Sequence, residues 1–136
     1  MHKISEQRSR NMSAIKSKNT KPEITVRKLL HSMGYRFRLH RKDLPGSPDI
    51  VLPKYKTVIF VHGCFWHRHE NCKYASTPKT RTDFWNKKFT ENKKRDSEIQ
   101  EKIKNLDWRS VVIWECETKN IDDLREKLIA NLLHIY

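Results

Sequence analysis

Apolar residues recur along this chain with two distinct periods. Val26, Leu29, Leu30 and Met33 follow at spacings of three and four, which predicts an amphipathic helix. Thr20-Lys21-Pro22-Glu23 just ahead combines a hydroxyl N-cap, a proline in the first turn and a glutamate at the third helical position, and Gly34 supplies the stop. Tyr35, Phe37 and Leu39 then alternate with Arg36, Arg38 and His40, the period of a strand with one wet, basic face. After the turn at residues 44–48, residues 49–52 and 57–62 read as two strands, joined closely enough for an antiparallel hairpin. Residues 63–79 are irregular and rich in histidine, cysteine and aromatics. Residues 80–106 read as a long helical stretch with room for one break, carrying Trp85, Phe89, Ile99, Ile103 and Leu106 on one side. Asp96 falls on that same apolar line. Val111-Val112-Ile113 marks a last strand, and Asn120 caps a helix bearing Leu124, Leu128, Leu132 and Ile135. The order α-β-β-β-α-β-α, a hairpin followed by a helical crossover, implies an α/β fold with a mixed central sheet flanked by helices.

Composition sharpens the picture. A chain of 136 residues with 36% apolar and 33% charged residues supports one domain whose core is thin enough to need a staple. No apolar run approaches the roughly 20 residues of a bilayer span, and the start of the chain lacks a secretory pattern, so a cytoplasmic protein without a membrane partner is expected. Three cysteines in a reducing compartment favour a metal site over a disulfide framework. Charge is concentrated early: of a net +13, residues 1–42 hold twelve Lys and Arg against Glu6 and Glu23. This is the footprint of a protein that neutralises phosphates, on DNA or RNA. Residues 1–19 are polar and basic around Met12, Ala14 and Ile15, and read as an arm that orders on binding; residues 20–136 read as the domain.

Two constellations carry chemistry. Cys64, His69 and Cys72 lie in one loop at C-x4-H-x2-C, and Cys116 ends the last strand. Three thiolates and an imidazole suit a closed, structural Zn²⁺ site; the alternative is that Cys116 is an ordinary buried thiol and the histidines are solvated. Asp49 opens the hairpin, where the backbone would hold its carboxylate rigidly, as Mg²⁺ requires when it must also touch a phosphate. A simple turn cap explains Asp49 equally well until its companions are counted: Glu23 in the first helical turn, His62 ending the paired strand, His67 five residues on, and Asp96.

Glu23, then Pro48-Asp49 and the second hairpin strand, are laid out as in the PD…D/ExK nuclease superfamily, whose restriction-endonuclease-like αβββαβ core has the same element order. Phe60-Val61-His62 stands where D/ExK would be. With Leu44-Pro45-Gly46-Ser47-Pro48-Asp49, Val58-Ile59-Phe60-Val61-His62-Gly63-Cys64-Phe65-Trp66-His67, Thr80-Arg81-Thr82-Asp83-Phe84-Trp85 and Trp114-Glu115-Cys116, the chain closely resembles the very short patch repair endonuclease family. The resemblance implies a Mg²⁺-dependent enzyme that nicks DNA on the 5′ side of the thymine in T·G mismatches left by deamination of 5-methylcytosine. It implies that Asp49 binds Mg²⁺ directly with the backbone carbonyl of Val61, a threonine in the family; Glu23 and His62 reach the ion through water, and His67 orients or deprotonates the attacking water. It assigns zinc to Cys64, His69, Cys72 and Cys116, although the loop is one residue longer here and leaves His67 as the alternative imidazole. Phe65, Trp66 and Trp85 become wedges in the mismatched duplex, with Met12 opposite, and Arg8, Arg10 and Lys16 of the arm meet phosphates. Trp85 also suits the core beside Phe89. A single-strand cut asks for no second subunit, so a monomer acting at the bacterial nucleoid is expected. Two other functions fit the residues: a restriction-type endonuclease on fully paired DNA, and a zinc-stabilised DNA-binding module without chemistry.

Overall fold

Helix α1 (Lys21–Ser32) begins where the capping box puts it: Thr20 Oγ1 accepts the Glu23 amide at 3.4 Å and the Glu23 side chain accepts the Thr20 amide at 3.3 Å. It ends on Gly34, whose φ of +88° lets the Tyr35 amide return to Leu30 O at 3.0 Å. The structure, a computed structural model, describes residues 19–133. The arm with Arg8, Arg10, Met12 and Lys16 lies outside these residues, as does Ile135.

Four strands follow: β1 (Arg38–Leu39), β2 (Ile50–Leu52), β3 (Thr57–His62) and β4 (Arg109–Trp114). They lie in chain order across one sheet, β1 antiparallel to β2, β2 antiparallel to β3, and β3 parallel to β4. The β2–β3 connection is a short 3₁₀ turn (Pro53–Tyr55) closed by left-handed Lys56. The parallel step needs a crossover, which helix α2 (Thr82–Asn105) supplies as one unbroken element. A 3₁₀ turn (Glu115–Lys119) leads from β4 into α3 (Ile121–Leu133), capped by Asn120 Oδ1 on the Asp123 amide at 3.1 Å. The mixed sheet with helices on both faces is the architecture expected from the element order.

Period-two burial places each helix. Ile50, Leu52, Ile59, Val111 and Ile113 meet Val26, Leu29 and Leu30 of α1 and Leu124, Leu128 and Leu132 of α3 on one face. On the other face Val51, Val58 and Phe60 meet Leu44 and Ile103, with Ile99 of α2 packed against them. The central strands are covered on both sides, hence their nearly continuous apolar sequence. Gly46 (φ +76°) tightens the junction: a Cβ there would stand 2.6 Å from Ile99 Cγ2 and 3.2 Å from Phe60 Cε1.

Two expectations are corrected. The strand predicted over residues 35–40 pairs only at Arg38–Leu39, and the backbone at His40 turns left-handed (φ 48°), which ends it and inverts the alternation: Leu39 is 40% exposed and His40 turns inward. Leu106, placed on the apolar side of α2 by spacing, is the C-cap residue just past the last helical turn and is exposed. Among the described residues no helix is long and apolar enough to cross a membrane.

Candidate active site and metal centre

The mouth of the β2–β3 hairpin gathers the predicted carboxylates and imidazoles. Asp49 immediately precedes β2, and its Oδ2 accepts the Val61 amide at 2.7 Å. In an extended strand the N–H and C=O of one residue face the same neighbour, so the Val61 carbonyl looks toward the Asp49 side. Glu23, 1% exposed, is held by its own helix start: Oε2 accepts the Asn19 amide at 2.7 Å and the Thr20 amide, while Oε1 accepts Arg27 Nη2 at 3.0 Å. His40 Nε2 also makes a short hydrogen bond to Glu23 Oε1, and the His40 amide donates to Asp49 O at 3.3 Å. Glu23, His40 and Asp49 thus offer one ligand atom each, all within 4.8 Å of one another. Burial pushes Asp49 up to about 6, against the pull of the Val61 amide and with the help of the Glu23 charge.

A second set adjoins the first one residue beyond Val61. His62 ends β3, is buried, and stacks its ring on His67 at 3.8 Å and 7° while meeting the edge of Trp114. Burial, then the neighbouring His67 charge, pushes His62 down to about 4, so it is neutral at neutral pH. A helix-like turn, His67 N to Gly63 O at 3.1 Å, brings His67 back over the strand end. There Nδ1 pairs with Asp96 Oδ2 at 2.6 Å, leaving Nε2 as the other ring nitrogen. His62, His67 and Asp96 again lie within 4.8 Å of one another. The carboxylate on the apolar line of α2 therefore has a partner, one that spacing alone did not identify. His40 was missed: the alternation assigned it to the solvated face, and the sequence carries no signal for the backbone inversion.

The loop after β3 folds around sulfur. The His69 amide returns to Cys64 O at 3.0 Å, the Cys116 amide meets Cys64 Sγ at 3.4 Å, and Cys116 Sγ lies 3.4 Å from His69 Nδ1. The His69 ring stacks on Trp114 at 4.2 Å and 10°, which fixes its plane. Ligand atoms of Cys64, His69, Cys72 and Cys116 all fall within 4.8 Å of one another, and none of the thiols is in a disulfide. Burial pushes the Cys64 thiol up to about 12, a cost that a soft cation among the sulfurs would reverse. Three sulfurs and one nitrogen with no open position suit tetrahedral Zn²⁺. His67, turned to Asp96, is not in this set.

The aromatic residues between the two centres form one cluster. Phe65 meets Trp66, Trp85 and Phe89 edge-on at 5.2, 5.5 and 5.3 Å, and Trp66 lies 5.6 Å from Trp85. Phe89 is buried, whereas Phe65, Trp66 and Trp85 are half-buried, so Trp85 shares both environments weighed for it. Arg68 ties the loop together, its guanidinium 4.3 Å from the Phe89 ring and bonded to Ala75 O and Ser76 O at 3.0 Å. An open cavity of about 540 Å³ is lined by His67 and His69, one from each cluster, with Lys93 and Trp114 among others. Lys87, Lys93, Lys94 and Arg95 of α2 are exposed.

Residues 2–73 match the family described as DNA mismatch endonuclease Vsr. The chain is 50% identical over 123 residues to the type II nicking enzyme V.XorIIP of Xanthomonas oryzae pv. oryzae, covering 90% of each protein. It is 48% identical over 121 residues to the type II nicking enzyme V.NmeAIP of Neisseria meningitidis serogroup A, covering 89% of this chain and 86% of the relative. Identity to the DNA mismatch endonuclease Vsr of Escherichia coli is 39% over 126 residues, covering 93% of this chain and 80% of the relative.

Proposed function

The chain belongs to the Vsr family of DNA mismatch endonucleases, and on that premise we propose that it nicks one strand of duplex DNA, with Mg²⁺, 5′ to the thymine of a T·G mismatch left by deamination of 5-methylcytosine. The observation that carries the reading is Asp49: a carboxylate held by a strand amide, made costly to ionise by burial, and set between Glu23 and the His62–His67–Asp96 set. A buried carboxylate of that kind is relieved by a cation.

Asp49 and the Val61 carbonyl would hold the ion, with Glu23 and His62 reaching it through water. A carboxylate and a carbonyl oxygen at a rigid sheet end fit a hard divalent ion. Such an ion supplies a charge sink for the phosphoryl oxyanion as the P–O bond breaks. His62, kept neutral by burial, adds no competing positive charge. Asp96 holds the His67 ring through Nδ1, which leaves Nε2 to orient the attacking water or take its proton. Phe65, Trp66 and Trp85 are preassembled as a half-exposed aromatic wedge; unstacking costs a few kcal/mol and least where pairing is already weak, which converts deformability into mismatch selectivity.

The sulfur cluster would hold a structural Zn²⁺, tying the wedge-bearing loop to the end of β4. Residues 20–136 act as a single endonuclease domain, and from the basic arm at 1–19 Met12 meets the opposite groove while Arg8, Arg10 and Lys16 meet phosphates. One cut in one strand needs one active site, so the protein works as a monomer, in the cytoplasm where its substrate lies.

The test is cleavage of end-labelled duplexes carrying one T·G pair in randomised flanks, beside the C·G parent, with and without Mg²⁺. A Mg²⁺-dependent nick 5′ to the mismatched thymine, absent from the parent, is expected. Cutting of the parent duplex would point to restriction-type activity, and no cutting of either to a binding module.

A further inference from the structure

We infer that His40 is itself a ligand of the divalent ion, through Nε2, so that the site combines an imidazole with the carboxylates instead of relying on oxygen alone; this rests on the divalent site proposed above. Three observations carry it. The ligand atoms of His40, Glu23 and Asp49 lie within 4.8 Å of one another, so an ion on Asp49 stands within reach of His40 Nε2, with Glu23 near enough to hold it through water. Glu23 does not need the imidazole: Arg27 Nη2 and the amides of Asn19 and Thr20 already serve its two oxygens. Asp49, by contrast, accepts only the Val61 amide and has no ion-pair partner among the described residues. Asp49 is thus the carboxylate without a positive partner, and His40 stands next to it, its amide bonded to Asp49 O.

The local backbone points the same way. His40 adopts φ 48°, and the turn reverses the strand's alternation so that the imidazole leaves the solvated face. To take an ion, Nε2 gives up the hydrogen bond it now makes to Glu23 Oε1 and binds as the neutral imidazole. The chemical consequence is selectivity. Carboxylate and carbonyl sets take Mg²⁺, whereas a nitrogen donor raises affinity for first-row transition ions, along the series in which Mn²⁺ is the weakest and Co²⁺ stronger. The site should therefore prefer Mn²⁺ and Co²⁺ to Mg²⁺.

Mn²⁺ alone, added to the zinc-loaded full chain, is the probe. Pulsed electron paramagnetic resonance of bound Mn²⁺ should show coupling to an imidazole nitrogen, and Mg²⁺ should displace it only in excess. H40Q, which keeps a donor toward Glu23, should lose the nitrogen coupling and lower the Mn²⁺-over-Mg²⁺ preference by about tenfold or more. Absence of nitrogen coupling in the wild type, or an H40Q protein that keeps both coupling and preference, overturns the inference; H40N serves where H40Q does not fold. D49N separates the two layers: loss of Mn²⁺ binding there, with H40Q unchanged from wild type, discards only the role of His40, whereas Mn²⁺ binding that survives D49N removes the divalent site and this inference with it.

Discussion

Replacing Asp49 with Asn should stabilise the protein in the absence of Mg²⁺ while abolishing its nicking activity. Burial raises Asp49 from the ordinary 3.8 to about 6. At about 1.4 kcal/mol per pH unit, ionising it in the folded state costs ~3 kcal/mol at neutral pH. Asn has the same shape and still accepts the Val61 amide, so D49N removes the charge and keeps the bond. Between roughly pH 4 and 6 the folded wild type holds a proton that the unfolded chain has released, so this group makes stability fall as pH rises through that window. His62 acts in the opposite sense. Its value is lowered from 6.5 to about 4, so the folded state refuses a proton that the unfolded chain takes, and stability rises with pH from about 4 to 6.5. In the wild type the two slopes largely cancel. In D49N only that of His62 remains. Urea unfolding of the zinc-loaded proteins without Mg²⁺ should show D49N more stable by ~3 kcal/mol at pH 7.5, the gap narrowing to ~1 kcal/mol near pH 4.5. Saturating Mg²⁺ should raise the wild type and leave D49N unmoved. A D49N protein no more stable than wild type at pH 7.5, or a gap independent of pH, refutes the electrostatic reasoning.

Two further outcomes follow from the geometry. D96N should lower the single-turnover nicking rate on a T·G duplex by about a hundredfold with little change in duplex affinity, because the amide no longer fixes the His67 ring and tautomer; an unchanged rate would mean that the pair only fills space. The purified protein should release one Zn²⁺ per chain to a chromophoric chelator. C116S should lower metal affinity by more than the roughly hundredfold that loss of an outer partner costs, seen as at least ~3 kcal/mol in thermal or urea stability; a C116S protein as stable and as zinc-rich as wild type would exclude Cys116 as a ligand.

Local codes made much of the fold legible. The capping box at Thr20 and Glu23 forms as the sequence spells it, because hydroxyl and carboxylate satisfy amides three residues away. Residues 49–62 read as a hairpin because both strands are buried on two faces and, between the end residues Thr57 and His62 of the second, carry apolar residues only. That Asp49 and His62 share one end of the sheet also followed, since the hairpin register sets Asp49 opposite Phe60, next to the Val61 amide that it accepts. What stayed hidden depends on tertiary structure or on a single dihedral. Asp96 was visible as a misplaced carboxylate, yet its partner lies 29 residues back in a loop without periodicity. His40 was hidden more deeply, because its alternating neighbours argue for solvent and only the left-handed backbone contradicts them. For the sulfur cluster, spacing brought out both of the possibilities weighed for Cys116, and only folding places its thiol beside His69.

Gly46 bears on the chemistry from a distance. Ile99 fills the space where a side chain would be, and Ile99 is one turn along α2 from Asp96 on the same helix face. A side chain at Gly46 would have to displace that of Ile99, which stands one turn from the carboxylate paired with His67. The tightness of a surface turn thus reaches toward the His67–Asp96 pair: where Gly46 carries a single hydrogen atom, a methyl group would crowd the helix position one turn from the paired carboxylate.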